Sequence, residues 1–407
     1  MMNQTFLDEV MQFRADLERA SGWEELRELW QRNISPYRVV AKDPLSPEYK
    51  LEILGLYRRM TAISYDLANE LTSTKVASDD FDRGYPWMTN DFGVAAAETI
   101  KTVQAFRVLQ SFAPEAHRLV EFGSGWANLA LAIARLGRDV TAVDIDGGFI
   151  TPIQDLAQRH KLPIHTINAD FLTAARAANN DFDAVIFQSS FHHCIDFNEL
   201  LGLLRTNVLG PEGRVFFFSE PIVPDYPFPW GLRTDGESLW AITMNKWCEL
   251  DFDRDFFVGL LHKHGFFGTA TGEIAGLIGH AWVATPFELG LSFDDWTLPS
   301  RYDDTFHPVR DGGQGRFLRE RSILPVHGCR HGTLTLGNHA RTPLHTVIFS
   351  GHFETSVTVE PDAVAEVVIK PDHDEITLRS ETFVPHEVYG NGDLRRVGLS
   401  LKRVCFS

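Results

Sequence analysis

The sequence predicts an α/β fold: a mainly parallel sheet covered by helices, with an N-terminal helical region before it and a small C-terminal antiparallel β-domain after it. Three observations carry this. Apolar residues in the first hundred positions recur at spacings of three and four. Short apolar runs then alternate with helical spacing from about Ala113 to beyond Gly268, the pattern of a parallel sheet with crossover helices. From Leu344 the period drops to two. The expected domains are therefore 1–112, 113–343 and 344–407.

In the helical region, Phe6, Val10, Phe13 and Leu17 mark one helix face, and Trp23, Leu26, Leu29 and Trp30 resume after Ser21-Gly22. Ser46-Pro47 places a capping hydroxyl before a proline suited to a first helical turn. From there Ile53, Leu56, Tyr57, Met60, Ile63, Leu67 and Leu71 predict one long helix. Tyr85 and Trp87 stand in a turn-rich aromatic stretch ahead of the sheet, either packing or lining a pocket. Ala95 to Phe112 leads helically into the first core strand. Core strands are expected near 118–122, 139–144, 163–168, 182–188 and 214–219, with a late helix from Arg254 to His264. Thr269 to about Arg341 shows little periodicity. Alternating strands are then expected at 346–349, 355–359, 364–369, 375–378 and 397–401.

Composition bounds the partners. The chain has 407 residues and a formal charge of −17, with 38 basic against 55 acidic side chains, so nucleic acid is not an expected partner. No stretch approaches the roughly 20 apolar residues of a membrane span. The opening residues lack the basic start and apolar core of a signal peptide. Cys194, Cys248, Cys329 and Cys405 lie far apart and make no C-x-x-C pair, as expected for a cytoplasmic protein. A homo-oligomer is compatible with the sequence.

The chain is organised around Leu119-Val-Glu-Phe-Gly-Ser-Gly-Trp-Ala-Asn-Leu-Ala-Leu-Ala-Ile-Ala. It reads as strand, tight turn and helix. Gly123 and Gly125 permit a turn whose amides meet a ligand without a Cβ in the way. Asp144 ends the next strand 19 residues after Gly125, where doubly wound folds hold ribose hydroxyls. A dinucleotide-binding dehydrogenase shares these signs, but it wants a third small residue where this chain has Asn128.

E-x-G-x-G with Glu121 at its head, followed by a strand ending Val143-Asp144, resembles the first motifs of the class I S-adenosylmethionine-dependent methyltransferases. Ala169-Asp-Phe171, the strand Phe182 to Gln188 and the turn Leu209-Gly-Pro-Glu-Gly213 follow in that family's order. The resemblance implies a Rossmann-like core and S-adenosyl-L-methionine as cofactor. It also implies Asp170 and Phe171 beside the adenine, and Glu121, Ile145 and Gln188 in the rest of the cofactor site.

Ser189-Ser-Phe-His-His-Cys-Ile-Asp196 stands just after the fourth strand, where the ligand crevice opens. His192 and His193 are the candidate bases for deprotonating an alcohol acceptor, since imidazole titrates in the working range. His193 corresponds better to the single histidine that many relatives carry. Glu220, ending the fifth strand, is a third catalytic candidate; it bonds substrate, orients a histidine or pairs with Arg233. Trp230, Arg233 and Trp240 interleave aromatic faces with charge in a way that suits a sugar. Phe383-Val-Pro385 and Gly392-Asp-Leu-Arg-Arg-Val-Gly398 resemble β-modules beside bacterial polysaccharide enzymes.

The expected function is thus O-methylation of a sugar hydroxyl in a bacterial surface polysaccharide or its precursor. A small-metabolite or lipid methyltransferase and a non-catalytic glycan-binding protein are the alternatives. His327-Gly-Cys-Arg-His331 offers two imidazoles and a thiol but no fourth ligand, so no metal is expected.

Overall fold

The computed structural model describes residues 4–34, 36–71, 76–83, 91–224, 226–271, 281–308, 315–326 and 328–407. Tyr85 and Trp87 lie outside these residues. Two compact units form, Met1–Phe257 with Thr271–Ala281, and Val258–Ala270 with Trp282–Ser407.

The first unit begins as the apolar spacing dictates. Helix α1 (Gln4–Arg19) buries Phe6, Val10, Phe13 and Leu17, and α2 (Trp23–Trp30) buries Leu29. Helix α3 (Pro47–Thr61) starts from Ser46, whose hydroxyl accepts the Tyr49 amide at 3.2 Å. The expected run of this helix to Leu71 does not form. Ala62 turns to φ +64° and ends α3, so Ile53, Leu56, Tyr57 and Met60 are buried while Ile63, Leu67 and Leu71 are exposed. A 3-10 turn at Leu67–Glu70 and helices α4 (Ser78–Arg83) and α5 (Phe92–Phe112) follow. The Asp91 carboxylate caps α5 through the amides of Gly93 and Val94.

The sheet of this unit contains β1 (Arg118–Phe122), β2 (Asp139–Asp144), β3 (Ile164–Asn168), β4 (Phe182–Gln188) and β5 (Leu209–Phe218). They are all parallel, in the order β3-β2-β1-β4-β5. Helices α6 (Asn128–Ala134), α7 (Gly147–His160), α8 (Phe171–Ala177) and α9 (Phe197–Leu203) make the crossovers. This is the Rossmann-like arrangement expected. Val120, Val140, Val185, Ile186, Phe216 and Phe217 are almost wholly buried, as strands covered on both faces require.

Chain order reverses between β1 and β4, so the crevice outside their carboxyl ends is the topological switch point where open α/β sheets bind ligands. After β5 the chain adds β6 (Ile222–Val223), β7 (Trp230–Leu232), helix α10 (Gly236–Trp240) and β8 (Leu250–Asp253). The three strands form a small sheet in the order β6-β8-β7.

The second unit holds the neighbouring strands β9 (Phe266–Thr271) and β10 (Ala281–Pro286), then β11 (Leu291–Ser292), β12 (Arg316–Phe317), β13 (Arg321–Pro325) and β14 (Gly332–Gly337). β15 (Leu344–Ser350), β16 (Phe353–Val359), β17 (Val364–Ile369), β18 (Glu375–Ser380) and β19 (Ser400–Phe406) complete it. One sheet runs β11-β19-β14-β17, with β12 also on β19, and another runs β13-β18-β15-β16. Their pairings are antiparallel, as expected, and they share a core that includes Trp296, Leu334, Ile348, Leu378 and Leu401.

These strands begin well before Leu344, the boundary expected from alternation. The stretch 269–341 hid them because β11 and β12 are two residues long, too short to show a period, and because β12 and β13 bury the polar Arg316 and Ser322 while Phe317 and Ile323 are only half-buried. Among the described residues no helix is long and apolar enough to cross a membrane.

Candidate active site

The turn after β1 owes its shape to its glycines. Gly123 adopts φ +69° and its amide donates to the Val143 carbonyl at 2.8 Å. A Cβ there would come within 2.6 Å of the Ser190 Cβ, so the turn and the loop after β4 touch only because the side chain is missing. Gly125, at φ +47°, has nothing within 4 Å of where a Cβ would stand; it borders open space. Its amide donates to Asp144 Oδ2 at 2.8 Å, and the Asp146 amide donates to Oδ1 at 2.8 Å. The carboxylate is thereby fixed at the strand end with lone pairs still available.

That open space is a cavity of about 600 Å³, within the range of ligand sites. Glu121, Gly123, Gly125, Asp144, Ile145, Asp170, Phe171 and Gln188 all line it. Trp126, Phe149 and Trp247 add aromatic faces. Glu121 is buried, with Oε2 accepting the Ala130 amide at 2.9 Å; burial, with the Asp144 charge adding to it, pushes its carboxyl up to about 8. Asp170 caps α8 through the Thr173 amide at 2.9 Å.

The residues present fit a polar cofactor. The Ser124 Oγ and Gln188 Oε1 atoms are buried against this cavity without a hydrogen-bond partner in the protein. Buried polar atoms are normally satisfied, so a ligand that supplies hydrogen-bonding groups here completes the site.

The histidines separate in role. His193 lines the cavity, with a quarter of its side chain exposed, and its Nδ1 lies 3.2 Å from Glu70 Oε2. His192 is buried behind it, the two ring centroids 4.4 Å apart. Its Nδ1 lies 2.7 Å from Glu220 Oε2, and its Nε2 lies 3.3 Å from Glu249 Oε2. Burial alone would lower the His192 pKa, but these two carboxylates outweigh it and raise it to about 9.

Glu220 is wholly buried and accepts the amides of Ser190, Phe191 and His192 at 2.7, 2.9 and 3.1 Å. Its carboxylate thus holds the loop after β4 together and bonds His192 Nδ1 at 2.7 Å. It does not line the cavity.

The three expected sugar contacts are placed elsewhere. Trp230 is 2% exposed, packs on Tyr49 and Phe197, and donates Nε1–H to the Pro44 carbonyl at 2.7 Å. Arg233 is buried and pairs with Asp235 at 2.9 Å, and Trp240 stacks at a tilt on Trp30. None of them lines the cavity, because alternating aromatic and charged residues here build the packing around β7. His327 lies outside the described residues.

Sequence reasoning missed Glu70 and Glu249. Glu70 closes the 3-10 turn after α3, where Oε1 accepts the Cys248 amide at 2.9 Å; Glu249 immediately precedes β8. Each is a single carboxylate with no motif around it, and only the fold brings them to the histidines.

The family model for a methyltransferase domain matches residues 120–217. No curated protein matches the chain. Among solved structures, the chain is similar to the 1,6-didemethyltoxoflavin-N1-methyltransferase of Burkholderia thailandensis, determined with S-adenosylhomocysteine (17% identity, 51% of this chain and 85% of that chain, TM-score 0.37). It is also similar to the magnesium protoporphyrin IX methyltransferase of Synechocystis PCC 6803, determined with S-adenosylmethionine (16% identity, 52% and 92%, TM-score 0.35). The matched residues span β1 to β5 with the glycine turn and Asp144, and the chain carries a class I S-adenosylmethionine-dependent methyltransferase domain whose cofactor is S-adenosyl-L-methionine.

Proposed function

We propose that the chain methylates a sugar hydroxyl, with His193 as the group that accepts the hydroxyl proton. The observation that carries this reading is that one cavity is lined by all eight expected cofactor residues and by His193. When bound, S-adenosylmethionine supplies a methyl group made electrophilic by its sulfonium. Asp144, fixed by the Gly125 and Asp146 amides, takes the ribose hydroxyls. Ser124 and Gln188 bond polar edges of the cofactor, and Phe171, braced by Phe122 and Phe187, covers the adenine. The acceptor lies on the His193 side, between Trp247 and the carboxylate of Glu70.

A sugar is favoured by that mix of aromatic face and carboxylate, and by the resemblance of the C-terminal strands to modules beside polysaccharide enzymes. The cavity volume also suits a small metabolite, and that is the second reading.

The test supplies labelled S-adenosylmethionine with a panel of oligosaccharides, lipids and small alcohols. Label in a sugar supports the reading, and label in a metabolite or lipid alone replaces the acceptor. Glycan binding without transfer would leave a binding protein. On the active acceptor, His193→Ala should slow transfer by about 10²-fold with cofactor affinity unchanged, the cost of losing a positioned base. An undiminished rate removes His193 from that role.

A further inference from the structure

The two imidazoles and Glu249 converge in a way that proton abstraction by His193 does not use. Each imidazole turns Nδ1 toward a carboxylate of its own, His192 toward Glu220 at 2.7 Å and His193 toward Glu70 at 3.2 Å. Each turns Nε2 toward Glu249, at 3.3 and 3.9 Å. We propose that His192, His193 and Glu249 bind a divalent transition-metal ion, with an open coordination position facing the cavity.

Three observations support the site. The ligand atoms of these residues all lie within 4.8 Å of one another. Two ligands each about 2.0–2.1 Å from a tetrahedral ion stand roughly 3.3 Å apart, which matches the His192–Glu249 spacing, and an ion there displaces the proton on His192 Nε2. A carboxylate on the outer nitrogen is what fixes the tautomer of a metal-bound imidazole and raises its basicity, and Glu220 supplies it to His192 at 2.7 Å.

Charge points the same way. Glu70, Glu220 and Glu249 surround the imidazoles, and Arg233, 3.8 Å from Glu249, is shared with Asp235. A divalent ion offsets the surplus. Two nitrogen ligands favour zinc, iron or cobalt over magnesium and calcium, with manganese the weakest binder of the first-row ions. His192 and Glu249 are buried while His193 reaches the cavity, which directs the open position to the acceptor side. No local motif marks this site, because Glu249 lies 56 positions beyond His193.

Ion binding stands without the sugar reading, but the ion's role rests on it. An ion at this point holds the acceptor oxygen and lowers its pKa, the proton passing to solvent. His193 is then a ligand and no longer the proton acceptor.

The test strips the full chain with a chelator and titrates zinc, cobalt and manganese separately, reading stoichiometry by elemental analysis and affinity by calorimetry. The expected result is one ion per chain, with the visible absorption of four-coordinate cobalt. Glu249→Gln should abolish the cobalt spectrum, and Glu220→Gln should weaken affinity by about 10–100-fold, the cost of losing an outer partner. Retained S-adenosylmethionine binding shows that each variant is folded.

No bound ion with any of the three metals, or equal affinity in Glu249→Gln and the parent, overturns the inference. Methyl transfer separates the two readings. Activity that survives metal removal but falls in His193→Ala leaves the base standing and refutes the ion's role in transfer. Activity lost on chelation and restored by one metal supports the ion and removes the base.

Discussion

Replacing Glu121 with glutamine should make the protein's stability less dependent on pH. Glu121 sits on the central strand, buried at the wall of the cavity, with one hydrogen bond from Ala130. Burial, followed by the charge of Asp144, holds its carboxyl at about 8 against an ordinary 4.5. The folded value lies above the unfolded one. Stability from this group is therefore fully present below about pH 4.5 and is lost as pH rises through about 8. The difference sets an upper limit of about 5 kcal/mol, at about 1.4 kcal/mol for each pH unit. Relaxation around the charge brings the expected loss to roughly 2–4 kcal/mol. Glutamine keeps the volume and the acceptor for the Ala130 amide but cannot ionise. Urea unfolding of parent and variant at about pH 5, 6, 7 and 8 reads the difference directly, because other groups titrate alike in both. The variant should gain on the parent at each step upward. A difference that stays constant with pH would refute the reasoning.

Other substitutions test the cavity and its surroundings. Asp144→Ala should weaken S-adenosylmethionine binding by about 1–3 kcal/mol in calorimetry, the worth of charge-assisted hydrogen bonds; an unchanged affinity would remove it from the ribose site. Gly123→Ala should cost more thermal stability than Gly125→Ala, because both strain a left-handed turn by about 1–2 kcal/mol but only the first drives a Cβ into Ser190. Equal costs would mean that the loop after β4 yields freely. Trp230→Ala should destabilise the fold by about 3–5 kcal/mol, as expected of a buried aromatic. Full stability with a raised KM for a sugar would restore Trp230 to substrate binding.

What the sequence made legible was local. The glycine turn, the capped helices and the five parallel strands each depend on residues within a few positions of one another, where periodicity and capping act. The cofactor half of the cavity inherits that legibility, since Gly123, Asp144, Asp170 and Gln188 all stand at or just beyond strand ends in one sheet. The acceptor half is assembled from remote pieces. Glu70 arrives because Ala62 breaks a helix whose apolar spacing reads as continuous. Glu249 arrives through the three-stranded insertion, whose short strands carry no clear period. Trp230 and Trp240 misled for a related reason: composition shows that a segment is aromatic and charged, but packing decides which way its rings face.

The strand pairings also change how a glycan-holding role for the C-terminal strands has to be framed. Alternation from Leu344 onward suggests a separable module, yet β14 lies before that boundary and pairs with β17 and β19, both beyond it. β13 likewise pairs with β18. Removing residues 344–407 would leave β13 and β14 with unpaired edges and would open the core around Leu334 and Leu336. Loss of activity in such a truncation would report a broken fold, whatever the strands bind. A role in holding a polymeric acceptor therefore belongs to the whole interleaved unit, and substitutions on the exposed faces of β16 and β17, which leave every strand pair intact, are the perturbations that address it.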